Sequence, residues 1–324
     1  MNVLFLEKKD RIQRLVSYNL NEIHEDINIF FDGEKELLFN NIKKYDVIVN
    51  FNYSNAFHSL LIRKAKENNI LSILLQDGIF EWNNTFVKNK KMPLYHPITH
   101  DVFFSFGGDQ EFKYLQQVNT LLPVKFFKYI PDFLNKKSIA YDKDKFDFLI
   151  TTANSAYFNN SELVRLCNLI NETIDNLVNL NLSFKLRIFD KRILSNINAA
   201  GYSINDLCPN ISECLLDVRC VLTTRSTLIF EAIGASKPVG EFLYRDVPQF
   251  SNPAWLVHSN IDFPETLNSM IFMDENRMAM QVAMYNSHMT TSTVNDLHEY
   301  VIKLNKTDIY KRKLLVLLKI LLGK

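Results

Sequence analysis

Val221-Leu222-Thr223-Thr224-Arg225-Ser226-Thr227-Leu228-Ile229-Phe230-Glu231-Ala232-Ile233-Gly234-Ala235-Ser236-Lys237-Pro238-Val239 is the stretch whose reading decides the fold. A strand over Val218–Leu222, apolar but for Arg219, ends in hydroxyls. A segment of helical spacing runs from about Ser226 to Gly234, and Pro238–Phe242 (PVGEF) opens a second apolar run. Short apolar runs on either side of a helical segment are what parallel strands buried on both faces require, joined by a crossover helix. Gly234 and Pro238 punctuate the end of the helix, because glycine tolerates the left-handed turn there and proline cannot continue the helix.

The same alternation extends in both directions. Upstream lie a strand at Phe146–Thr151, a long helix at Asn160–Leu180 and a strand at Phe184–Phe189. Further upstream, Asn2–Leu6, Ile27–Phe31, Asp46–Phe51, Leu71–Leu75 and Val102–Phe106 read as strands, with Ala56–Asn68 as a helix among them. Asp109 is the expected cap of the helix EFKYLQQV. Between the two arrays, Asn135–Lys145 is polar and charged, as a linker would be. The expected architecture is therefore α/β, with two Rossmann-like lobes at 1–138 and 146–305 and a tail at 306–324. Ligands of such sheets bind outside the carboxyl ends of the strands, so the loops there, facing a cleft between the lobes, are where chemistry is expected.

Bulk properties narrow the class. With 324 residues and 47% hydrophobic content, each lobe can bury a core of its own. A net charge of +1 gives no global field for nucleic acid, and no nucleic-acid partner is expected. The four cysteines, Cys167, Cys208, Cys214 and Cys220, form no CxxC pair and no zinc spacing, so free thiols in a reducing compartment are expected. The first residues, MNVLFLEKKD, do not have the layout of a signal peptide, and no apolar run reaches the roughly 18 residues that span a bilayer. A cytoplasmic location is the expectation.

Four strand-end loops carry candidate chemistry. In the first, the hydroxyls of Thr224, Ser226 and Thr227 meet the start of a helix, whose free N–H groups suit a phosphate. Glu231 lies one turn further on the face of Thr227, where it reaches a ribose or faces solvent. Ordinary capping by Ser226 or Thr227 is the alternative. In the second, Gln76-Asp77-Gly78-Ile79-Phe80-Glu81-Trp82 follows the strand LSILL directly. A carboxylate at Asp77 suits a general base on an acceptor hydroxyl or a nucleophile on an anomeric carbon, and an Asx-turn is the plain alternative. In the third, Lys191 and Arg192 after the strand FKLRIF either neutralise donor phosphates or form a solvated surface. The fourth, Arg245–Trp255, is rich in turn formers and lines a base pocket or a domain interface. His96, His100 and Asp101 match no metal spacing, His58 follows a polar loop that touches an acceptor or else lies on a helix surface, and neither a catalytic metal nor a cofactor is expected.

The Val221–Val239 segment resembles the nucleotide loop in the C-terminal lobe of GT-B glycosyltransferases, with its Ser/Thr-rich turn, internal Glu-Ala and Gly-x-x-Lys-Pro-Val. That resemblance implies a nucleotide-sugar donor, with Thr224, Ser226 and Thr227 on its phosphate. The Gln76–Phe80 loop is similar to the Glu-Asp-Gly-Phe motif of retaining β-Kdo transferases of capsule and O-antigen assembly, where the matching aspartate is the candidate nucleophile. Gln76 replaces the glutamate of that motif, and Glu81-Trp82 the usual Arg-Ser. The implied donor is a CMP-linked 2-keto sugar, and the implied acceptor a surface polysaccharide or lipid-linked glycan. Two other readings stand beside it: a nucleotide-sugar 2-epimerase of the same fold, and a non-catalytic scaffold of a polysaccharide assembly complex.

The tail Asp308–Lys324 (DIYKRKLLVLLKILLGK) alternates leucine and lysine at helical spacing. A basic amphipathic helix of this kind is expected to lie on the inner, anionic face of the membrane, and docking on the protein is the alternative.

Overall fold

The computed structural model of the chain describes residues 1–16, 26–53, 55–86, 93–134, 145–153, 158–198, 205–207 and 211–323. The expected linker (all but Lys145), Ser54 and Cys208 lie outside them.

The backbone forms two units. The first holds residues 1–80, 84–136 and 288–324, and the second 81–83 and 137–287. The first is built on six parallel strands: β1 (Asn2–Phe5), β2 (Asn28–Phe30), β3 (Val47–Asn50), β4 (Leu71–Leu75), β5 (Val102–Ser105) and β6 (Lys125–Lys128). Their order is β2-β1-β3-β4-β5-β6. The second has five parallel strands: β7 (Phe146–Thr151), β8 (Phe184–Arg187), β9 (Val218–Thr223), β10 (Val239–Phe242) and β11 (Trp255–Val257). Their order is β11-β10-β9-β7-β8. Both units are Rossmann-like, as expected. In each, the first strand of the unit lies between the second and the third, so the winding reverses there. Those switch points are β1/β3 and β7/β9, with Leu4 opposite Ile48 and Ile150 opposite Leu222.

The central strands are mostly apolar because both faces are covered. Every residue of β3 and β5 is buried. The helix Ala56–Glu67 turns His58, Leu61, Ile62 and Ala65 inward, the i, i+3, i+4, i+7 spacing of a single helical face. Asn55 starts it by accepting from the N–H groups of Phe57 and His58. In the second unit the helix Asn160–Asn179 opens on a reciprocal capping box between Asn159 and Glu162 and buries Leu166, Leu169, Ile170, Ile174 and Leu177.

Several expectations need correction. Residues 288–305, assigned from sequence to the C-terminal lobe, belong with the first unit, as does the tail. Ser292 accounts for part of this: its N–H donates to the Lys128 carbonyl and its hydroxyl accepts from the Lys128 N–H, so the returning chain pairs with the open edge of β6. The tail does form a helix, Asp308–Leu322, but Leu314, Leu317, Leu318, Leu321 and Leu322 are buried and Tyr310 donates to the Asp46 carbonyl. The apolar face expected to meet a membrane is thus packed on protein. Asp109 does not cap its helix. Gly108 holds that position, and Asp109 pairs instead with Lys128.

Candidate functional site

In the first unit, the loop after β4 is held by Gln76, which is fully buried. Its Nε2 donates to the Gly78 carbonyl and to Glu111 Oε1, both at 2.8 Å. Its Oε1 accepts from the Ser105 hydroxyl (2.8 Å) and the Phe106 N–H (3.0 Å). Its carbonyl accepts from the Tyr129 hydroxyl. The glutamine therefore uses both donors and its acceptor, which fixes where the next residue points. That residue, Asp77, is solvent-accessible. Enough protein nevertheless surrounds it that desolvation raises its carboxyl above the ordinary value, against the opposing hydrogen bond from Tyr95. The Tyr95 hydroxyl donates to Asp77 Oδ1 at 3.1 Å.

Gln76 also explains a departure from the motif that this loop resembles. Glu111 is itself buried, accepting from Gln76 Nε2 and the Phe80 N–H. A glutamate at 76 would set one buried carboxylate against another, where an amide supplies the donor that Glu111 needs.

At the β1/β3 switch point, Glu7 is buried and its Oε1 accepts from the N–H groups of Phe51 (3.0 Å) and Asn52 (2.8 Å). His58 Nδ1 lies 3.4 Å from the same oxygen. Sequence reading left Glu7 out, since a carboxylate seven residues into the chain has no local motif. His100 is buried as well, its Nε2 2.7 Å from Asn50 Oδ1, and burial holds its imidazole down to about 3, hence neutral.

In the second unit, the strands at the switch point end in hydroxyls: Thr151-Thr152 after β7 and Thr223-Thr224 after β9. The Thr224 hydroxyl oxygen accepts from the Ala153 N–H at 2.7 Å and ties the two strand ends together. Ser226 and Thr227 follow, half-buried. The helix begins at Leu228, later than expected, and Thr227 at its cap makes no side-chain capping bond. Glu231 is half-buried in the first turn.

Lys191 and Arg192 are placed differently. They follow β8, the edge strand, and both are exposed. Arg192 grips Asp190 through Nε (3.1 Å) and Nη2 (2.8 Å) and holds that carboxyl below its ordinary range. The basic group beside the hydroxyl turn is instead Arg225, which sequence reading did not single out. Its guanidinium donates to the Ser251 carbonyl (2.5 Å) and hydroxyl (3.1 Å) and lies 3.3 Å from Glu241 Oε2 on β10. Burial pushes the Glu241 carboxyl up, with Arg225 opposing. Gln249 donates to the other Glu241 oxygen at 3.1 Å. The loop of residues 245–255 is thereby tied to the ends of β9 and β10, and Trp255 is core, fully buried. Among the described residues, no group of three His, Cys, Asp or Glu side chains is placed to hold a metal ion. No helix among them is long and apolar enough to cross a membrane.

No family model matches the chain, and neither does any curated protein sequence. Solved structures do match. A Neisseria meningitidis UDP-GlcNAc 2-epimerase bound to UDP-GlcNAc has a TM-score of 0.58 at 11% identity, covering 94% of this chain and all (100%) of that one. Staphylococcus aureus TarM, solved with fondaparinux, α-GlcNAc-glycerol and UDP, has a TM-score of 0.53 at 12% identity over 84% of this chain. The pneumococcal O-GlcNAc transferase GtfA, with UDP and GlcNAc, has a TM-score of 0.50 at 18% identity over 87% of this chain. The chain spans 58% of the length of TarM and of GtfA. At these identities the likeness establishes the fold: two parallel-sheet α/β lobes of the GT-B kind.

Proposed function

We propose that this chain is a glycosyltransferase that moves a sugar from a nucleotide-sugar donor to a glycan acceptor. The observation that carries the reading is the hydroxyl turn Thr223–Thr227 at the switch point of the second sheet, where parallel α/β sheets bind their ligands. Thr224, Ser226 and Thr227 donate to the donor phosphate there, and Arg225, held between Ser251 and its ion-pair partner Glu241, is the guanidinium beside that turn. Arg225 takes the place of Lys191 and Arg192 in this role. Glu231 is the candidate for the ribose. Because TarM, GtfA and the meningococcal epimerase were solved with UDP or UDP-GlcNAc, we take a UDP-sugar as donor in place of the CMP-linked keto sugar first expected.

Asp77 is the base. Its raised carboxyl lies closer to working pH than a free aspartate, which favours proton transfer in the transition state. The acceptor hydroxyl passes its proton to Asp77 as its oxygen bonds to the anomeric carbon. The bond from that carbon to the phosphate breaks, and its electrons leave with the nucleotide. An acceptor carried on a lipid is the finer form of this reading. The basic residues Lys311, Arg312, Lys313 and Lys319 of the tail, rather than its buried leucines, would meet an anionic surface.

A second reading, 2-epimerisation of the nucleotide sugar, is favoured by the end-to-end match to the meningococcal epimerase. The test is a thermal-shift panel of UDP, CMP, CDP, GDP and ADP. A nucleotide at 100 times its Kd adds about 2.7 kcal/mol of stability. A shift with UDP alone supports the donor assignment. No shift with any of them overturns it and favours a scaffold. Incubation with UDP-GlcNAc alone then separates the two enzymes, because inversion at C2 needs no acceptor.

A further inference from the structure

We infer that Tyr95 is the positioning residue for the Asp77 carboxylate, and that Asn119 holds it to that task. The inference rests on Asp77 being the base of the proposed transfer.

Three observations carry it. Tyr95 is a buried aromatic whose hydroxyl points at a solvent-accessible carboxylate, 3.1 Å from Oδ1. A purely packing role would be met by phenylalanine, because the ring already contacts Phe103 (centroids 5.5 Å apart) and Tyr53 (5.9 Å). Among the described residues the hydroxyl's hydrogen bonding is to Asp77, and a buried hydroxyl costs free energy unless it is paired. Second, Tyr95 has φ +58°, the left-handed region that a bulky side chain avoids. Backbone strain of this kind persists where the surroundings impose it, and it concentrates at functional sites.

Third, the surroundings that impose it are visible. Asn119 is buried. Its Nδ2 donates to the Tyr95 carbonyl (2.9 Å) and the Leu115 carbonyl (2.8 Å), and its Oδ1 accepts from the Ile98 N–H (2.6 Å). One side chain thus clamps both ends of the Tyr95–Ile98 turn onto the helix Asp109–Val118. The Tyr53 hydroxyl donates to the Pro97 carbonyl inside the same turn. With Oδ1 held by the phenol, the Asp77 rotamer is fixed before any acceptor arrives. Such preorganisation lets a base act without first searching for its geometry.

The experiment follows the Asp77 carboxyl carbon by NMR in full-length protein labelled at aspartate, with Asp77→Asn assigning the resonance. The phenol stabilises the ionised carboxylate, and Arg14, Glu7 and Tyr129 are the other charged or titratable groups acting there. In Tyr95→Phe the Asp77 titration midpoint should move up. In protein carrying 3-fluorotyrosine at position 95 alone, whose phenol is the stronger donor, it should move down with the ring still in place. Asn119→Ala should give an upward move smaller than that of Tyr95→Phe. An unchanged midpoint in both the phenylalanine and the fluorotyrosine proteins overturns the inference. Transfer from UDP-GlcNAc is measured in parallel. Tyr95→Phe should lower kcat on the order of tenfold to a hundredfold with KM little changed. Full activity in Asp77→Asn would sink the base assignment itself, whatever the titrations show.

Discussion

Gln76 Nε2 donates to Glu111 Oε1 at 2.8 Å, with both side chains fully buried at the ends of adjacent elements 35 residues apart. The amide is the only neutral partner in this shape that supplies two N–H groups, one for Glu111 and one for the Gly78 carbonyl. Gln76→Glu exchanges that donor for a second buried carboxylate. We expect it to destabilise the protein by at least about 1–3 kcal/mol at pH 7, the range for leaving a buried hydrogen-bonding group without its partner, with a charged group toward the upper end. Urea denaturation at pH 7 and pH 4.5 checks this. The loss should shrink at the lower pH, where one carboxyl takes up a proton.

Gly107 is required by the same carboxylate. A Cβ there would stand 2.6 Å from Glu111 Cδ and 2.8 and 2.9 Å from its two oxygens. Gly107→Ala must displace a buried, hydrogen-bonded group and should cost about 1–3 kcal/mol. Because Gly107 and Gln76 act on one side chain, the double variant should depart from additivity by more than the roughly 0.5 kcal/mol seen for independent sites. A strictly additive double-mutant cycle would contradict a shared dependence on Glu111.

Leu317 tests where the tail's apolar face goes. It is fully buried in the helix Asp308–Leu322. Leu317→Ala should destabilise the protein by about 2–5 kcal/mol in plain buffer, without any lipid present. A leucine reserved for a bilayer would instead leave the denaturation midpoint unchanged in buffer and reduce sedimentation with anionic vesicles.

Much of the fold is legible because the central strands are buried on both faces. Val47–Asn50 and Leu71–Leu75 announce themselves as runs that are apolar but for Asn50 and Ser72. Lys125–Lys128 (KFFK) does not, since its lysines suit the edge strand that it forms, and Trp255–Val257 is three residues long. Of the candidate residues, Asp77 and the hydroxyl turn stand out because strand, loop and helix are contiguous in sequence. Arg225 is hidden in that same turn, since its partners Glu241 and Ser251 lie 16 and 26 residues away. Tyr95 and Asn119 are hidden for the same reason, 18 and more residues from what they hold. Lys191 and Arg192 show the converse: a local pair of basic residues says nothing about the Asp190 carboxylate that already occupies one of them.

The raised carboxyl of Asp77 gives a stability that depends on pH in a definite direction. Folding lifts its pKa above that of the unfolded chain, chiefly by desolvation, so the folded state binds the proton more tightly. No penalty exists below the ordinary aspartate value of about 3.9, and it builds as pH rises through the folded-state value. Asparagine cannot ionise, and its Oδ1 still accepts from the Tyr95 hydroxyl. Asp77→Asn should therefore melt at a higher temperature than the parent at pH 7, with the gap closing as the pH falls toward 3. Loss of transfer activity alongside that gain is the trade-off expected of a base whose carboxyl is held above its ordinary value. Equal melting temperatures across the whole pH range would show that the carboxylate is as well solvated folded as unfolded, and would remove the reason for its reactivity.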